Sequence, residues 1–156
     1  MVENRGAGRR ARMWVILGVL AIIVIAPAVI VPLVNDTAAR GVETRLRDVP
    51  LPAGTELVDS DAIAGKISGN GNGMQYLGAL LIRGADGEGA DALGEHYRVH
   101  GEATGLSMSV TPAEQFEGFS RTDGFLARPG ERGTFIVWAW GEGPGWFFEG
   151  FDIRGH

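Results

Sequence analysis

The run Met13–Val34, MWVILGVLAIIVIAPAVIVPLV, is 22 residues without a charge, and the rest of the chain is placed relative to it. At about 1.5 Å of helical rise per residue it reaches roughly 33 Å, which matches a hydrocarbon core of about 30 Å. A transmembrane helix over residues 13–34 is the expectation, with the lipid bilayer as its partner. Trp14 falls at its inner end, where an indole suits the headgroup level. Pro27 and Pro32 lie in the outer half, where each removes a helical hydrogen bond unless the helix kinks.

Charge orients the span. Arg5, Arg9, Arg10 and Arg12 against Glu3 give residues 1–12 a net charge of +3, while the remainder carries −8. A basic leading tail predicts a cytoplasmic N-terminus and an exported C-terminal part in a single-pass cell-membrane protein. An acidic exported domain excludes nucleic acid as a partner, because phosphate neutralisation needs a basic surface. The absence of cysteine excludes disulfides, thiolate catalysis, Cys-ligated zinc and lipid attachment to an exported Cys. A cleaved signal peptide is the rival reading, with Thr37-Ala38-Ala39 as its best small-residue site. The apolar run is about twice the length of a secretory h-region, which favours an uncleaved signal anchor.

Residues 35–54 read as a stalk and linker. Ala38, Ala39, Val42, Leu46 and Val49 recur at helical spacing, acid-before-base pairs Asp36–Arg40 and Glu43–Arg47 support the helix, and Pro50 and Pro52 end it. One folded domain, residues 55–156, follows. The 25 glycines of the full chain predict many turns and short strands. Strand character marks 55–67, with an interruption at Asp59 and Asp61, and Met74–Arg83 is apolar on both faces, as in a central strand. The Asn-Gly steps of Ser68–Gly73 suit a hairpin turn between them. A helix is expected over Ala90–His100 with Ala90, Leu93 and Tyr97 inward, then a strand through Leu106, Met108 and Val110 and a short helix from Thr111-Pro112 to Gly118. Phe119–Arg128 reads as a broken strand turned by Pro129-Gly130, and Thr134–Trp140 with Trp146–Arg154 reads as a terminal hairpin. The fold class is α+β: a transmembrane helix and stalk, then a small, mainly antiparallel sheet with one main packed helix.

Candidate chemistry is sparse. His96 and His100, four apart on a helix, have two-ligand spacing, but without His-Glu-x-x-His or a third ligand they read as exposed helix-face residues. Asp86, Glu88 and Asp91 lack the spacing of a calcium loop, and Gly69, Gly71 and Gly73 precede a strand rather than the helix a phosphate loop needs. No metal or cofactor is expected. The aromatic set Trp138, Trp140, Trp146, Phe147, Phe148 and Phe151 stands out. Alternation puts Ile136, Trp138 and Trp140 on one side of a strand and Phe135, Val137 and Ala139 on the other, one side being core. Were the second side exposed, Trp138, Trp140, Trp146 and Phe148 would form a surface for envelope glycan, peptide, lipid headgroups or another membrane protein.

Pro50-Leu-Pro-Ala-Gly-Thr55, and Ser68–Ile82 followed by an acidic turn and a helix ending near His96-Tyr97, resemble small single-pass proteins of Gram-positive bacteria. The resemblance covers about Pro50–Val99 and implies a short exported α+β domain of unassigned function. It carries no site residues. The expected role is a non-catalytic extracytoplasmic binding or accessory domain of the cell envelope. The alternatives are an envelope-polymer hydrolase whose cleft holds two or more of Asp59, Asp61, Asp86, Glu95 and Glu102, and an accessory subunit acting through its span.

Overall fold

The computed structural model of the chain describes residues 5–67, 73–85, 87, 89–119, 122–127, 130–152 and 154. Helix α1 (Arg5–Arg47) leads into strands β1 (Glu56–Gly65) and β2 (Gln75–Arg83), helix α2 (Ala90–Gly101), strands β3 (Met108–Pro112) and β4 (Thr134–Gly141), and the short helix α3 (Trp146–Gly150). The architecture is α+β, a long apolar helix followed by a four-stranded antiparallel sheet in the order β1-β2-β4-β3.

Helix α1 has two parts in one unbroken rod. From Arg12 to Ile25 every side chain is exposed. Helix α1 is the one helix, among the described residues, that is long and apolar enough to cross a membrane, with a mean hydropathy of 3.0 over its best 18-residue window. From Val31 onward a buried stripe appears, Val31, Asn35, Ala39, Val42 and Leu46, and it continues to Val49 beyond the helix. Steps of three and four keep these residues on one face. Pro27 and Pro32 lie inside the helix, so the carbonyls of Ile23 and Ala28 lose their usual donors, yet helical structure runs through both.

The stretch expected to stand off as a stalk is therefore a packed layer of the domain. Its helical spacing is as anticipated, but its apolar stripe lies on β1, β2 and β4. The sequence pattern shows a stripe without showing its partner, and the partner is a shallow trough of small residues. Gly78 on β2 is so close to α1 that a Cβ there would stand 2.5 Å from the Glu43 nitrogen, and a Cβ on Gly141 of β4 would strike Val42. Ser60 of β1 donates to Glu43 at 2.6 Å beside this crossing.

The two faces of the sheet have different covers. Tyr76, Leu80 and Ile82 of β2 and Phe135, Val137 and Ala139 of β4 pack under α1 and α2, together with Leu93 and Tyr97. Leu77, Ala79 and Ile136 lie beneath the irregular segment 113–127, through Ala113, Phe116 and Leu126. Both sides of β4 are thus core, where one was expected. β2 is central, as its two apolar faces required, and the expected interruption near Asp59 is a register shift between Leu57 and Asp59. The β1–β2 pairing is that of a hairpin, although its turn over residues 68–72 lies outside the described residues.

Two strand expectations fail. β4 pairs with β2 on one edge and β3 on the other, so no edge remains for a returning strand, and Trp146–Gly150 is helical instead. Among the described residues of 119–127 the chain forms one 3-10 turn, Gly124–Leu126, with positive φ at Gly118 (85°) ahead of it and at its first residue, Gly124 (60°), which breaks strand alternation. Phe119 donates its N–H to the Leu126 carbonyl at 3.0 Å, closing the segment on itself. Residues 120, 121, 128 and 129 of that expected strand and turn lie outside the described residues. The short helix expected from Thr111-Pro112 is one 3-10 turn, Ala113–Gln115, because β3 extends through Pro112 at the sheet edge, where a missing N–H is tolerated.

Gly78→Val puts a branched side chain against helix backbone that has no rotamer with which to yield. Denaturant unfolding of the full chain in detergent micelles is expected to show a loss of about 1–3 kcal/mol, whereas Gly41→Val, whose Cβ would meet nothing, is expected to be neutral or slightly stabilising because Val is the better helix former.

Candidate functional site

Contacts along α1 and β2 run in the same order, Asn35 with Tyr76 and then Val42 and Glu43 with Gly78. The end of the sheet holding Tyr76 and Gly141 therefore lies toward the apolar part of α1, and the end holding Glu56, Arg83 and Thr134 points away from it. A polar cluster occupies the near end and a cleft the far end.

The near cluster is built around Asn35, buried where the apolar run gives way to polar sequence. Its Oδ1 accepts from the Tyr76 hydroxyl at 2.9 Å, and its Nδ2 donates to Asp152 at 2.7 Å and to the Phe148 carbonyl at 3.0 Å. Arg154 grips the same Asp152 with two nitrogens, at 2.9 and 2.7 Å, and reaches Asp36 at 2.8 Å and the Pro32 carbonyl at 3.2 Å. A fully buried carboxylate survives because every approach is a donor. The Arg154 guanidinium, aided by Asn35, holds Asp152 down to about 2, and Arg154 is raised in turn. Burial, reinforced by the charges of Glu149 and Asp152, pushes the Tyr76 hydroxyl up to about 12. Sequence reasoning missed this cluster. Asn35 was legible only as the first polar residue after the span, and its partners lie 41 and 117 positions away.

The far cleft has a volume of about 600 Å³ and opens between β1, β2 and the segment 124–131, with Asp59, Arg83, Phe125, Glu131 and Thr134 among its walls. Arg83 is also paired with Glu56 at 2.8 Å. Asp61 follows on the same face of β1. Burial raises its pKa, with Asp123, Asp59 and Glu43 adding to the effect against a lowering bond from the Ala62 N–H. Of the five acids that a hydrolytic cleft would have drawn upon, Asp59 alone is among its walls, while Asp86 lies outside the described residues. Glu95 and Glu102 flank Arg98 on exposed α2 in ion pairs of 2.6 and 3.7 Å.

The histidines are occupied locally. His96 Nε2 is 2.7 Å from the Pro50 carbonyl, His100 Nδ1 is 3.0 Å from the His96 carbonyl, and their rings stack at 4.2 Å. Among the described residues no group of three or more His, Asp or Glu is arranged to hold a metal. Glu88 and the glycines at 69 and 71 lie outside those residues.

The aromatic set divides. Trp138 and Trp140 are half-buried on the loop-covered face, each meeting Phe119 edge to face at 5.6 Å. Phe148 is half-buried in α3 and Trp146 is exposed; ring contacts join Trp138 to Trp140 and, through Phe147, Trp146 to Phe148. No family model, curated protein or solved structure matches the chain.

A depressed carboxylate stabilises the fold above its unfolded value near 3.8, and that contribution is lost as pH falls toward 2. A raised phenol contributes below pH 10.0, and its share is lost as pH climbs toward 12. Unfolding of the full chain in micelles should therefore lose about 2 kcal/mol through Asp152 on the acid side. Asp152→Asn should flatten the acid limb and Tyr76→Phe the alkaline one; an unchanged acid slope in Asp152→Asn would refute the assignment.

Proposed function

We propose that this chain is a single-pass membrane protein with a cytoplasmic N-terminus and an uncleaved signal anchor. Its α+β domain stands on the outer face of the cell membrane as a non-catalytic binding or accessory module. The observation that carries this reading is the continuity of α1, which runs from fully exposed apolar residues into the buried stripe without a break. A chain with an exposed apolar run of this length requires lipid around it, and the basic tail sets the direction. Retention of the anchor is supported at the rival cleavage site, where Ala39 is helical and fully buried against the sheet.

The far cleft is the surface such a domain offers to the envelope. Its wall of Arg83, Asp59 and Glu131 beside Phe125 and Leu81 suits a ligand with both charged and apolar parts, such as an envelope peptide. The separation of Glu95 and Glu102 onto α2 favours binding over a carboxylate-based hydrolase.

The lack of native cysteine gives a direct test. Arg10→Cys and Arg132→Cys, both at exposed positions, are labelled in intact cells with a membrane-impermeant maleimide. The thiol at 132 is expected to react at once and the thiol at 10 only after permeabilisation. The reverse pattern, or an immunoblot mass shortened by loss of residues 1–39, would overturn the reading.

A further inference from the structure

Three large aromatic side chains of the C-terminal segment face solvent: Trp146 is 78% exposed, Phe147 43% and Phe151 55%. They are in mutual contact, Trp146 with Phe147 at 6.0 Å and Phe147 with Phe151 at 5.0 Å between ring centres. A single exposed aromatic is ordinary, but a contiguous patch calls for a cover.

Its position in the fold says what the cover is. Asn35 holds the Phe148 carbonyl at 3.0 Å and the Asp152 carboxylate at 2.7 Å. Arg154 binds Asp36 and the Pro32 carbonyl. The segment is therefore fastened to α1 at residues 32–36, the outer end of the apolar run. Val31 is fully buried at this level while Val29, Ile30 and Leu33 remain exposed, so only part of the helix is shielded. Trp146, Phe147 and Phe151 lie within about one helical turn of Phe148, which keeps them roughly within 10 Å of the span exit. The two carboxylates of this contact, Asp36 and Asp152, share one cation, Arg154, which leaves the joint with a single net negative charge.

The geometry points to the outer headgroup zone of the bilayer as the occupant of this patch. An indole favours that zone, where its apolar body meets lipid and its N–H meets water, and the two phenyl rings beside it add apolar area that lipid covers. On this arrangement the domain touches the membrane twice, through the span and through α3, and the Asn35 cluster fixes the height of one relative to the other. The inference rests on the membrane-anchor reading, and its test separates the two.

The full chain is reconstituted into phosphatidylcholine vesicles whose acyl chains carry bromine at a shallow or a deep position. The emission lost on Trp146→Phe reports Trp146, and that lost on Trp14→Phe reports the inner end of the span. Both positions are exposed, so these conservative changes leave the fold intact. The expected result is that Trp146 emission is quenched roughly two-fold more by shallow than by deep bromine, as headgroup placement requires. Quenching of Trp14 with Trp146 unaffected by either lipid would overturn the patch and leave the anchor standing. Failure of both indoles to be quenched would overturn the anchor reading and this inference with it.

Discussion

The close approach of α1 to Gly78 and Gly141 is the constraint on which the rest depends. A helix can lie this near a sheet only where the sheet presents no side chain, and the gap is filled by Val42 and the backbone at Glu43. The same helix carries the long apolar run, and without it this face would keep only the cover that α2 supplies through Leu93 and Tyr97. The long apolar run and the layer that packs on the sheet are one helix.

The second joint is polar. At residues 35–36 the chain changes from apolar to polar, and Tyr76, Asp152 and Arg154 converge there from two distant parts of the sequence. Taking a carboxylate fully out of water is costly unless several donors surround it, and once they do, removing any one leaves an uncompensated group. The cluster thus holds the C-terminal segment in a defined place on α1, whereas apolar contacts alone would tolerate sliding. The aromatic residues of α3 owe their position to it.

The sheet between these joints is sandwiched unequally. Two helices cover one face, and an irregular segment rich in Phe and Gly covers the other. Irregular backbone has no fixed period, so Phe116, Phe119 and Leu126 reach the same sheet face through local turns at Gly118 and Gly124. The far cleft opens where this cover ends, at Gly124–Glu131. A site there sits partly on irregular backbone, with the regular strands β1 and β2 as its other walls.

Much of this was legible in the residues themselves. The apolar length of 13–34, the helical stripe from Ala38 to Val49, the inward face of α2 and the two apolar faces of β2 follow from local periodicity, which depends only on neighbours in the chain. What covers each face depends on distant residues, and that is where expectation and structure part. The stripe read as a stalk proved to be core because Gly78 and Gly141 leave room for it, and the terminal hairpin was impossible because β3 had already taken the second edge of β4. The candidate site was less legible than the fold: Trp138 and Trp140 went to a packed face, Trp146 to an exposed one, and the Asn35 cluster gave no local signal. Sequence by itself determined the elements and the apolar run, since periodicity and length are local. Only tertiary structure decided that the helix belongs to the domain and which aromatics stay exposed, since strand order and close approach are set by contacts between residues far apart in the chain.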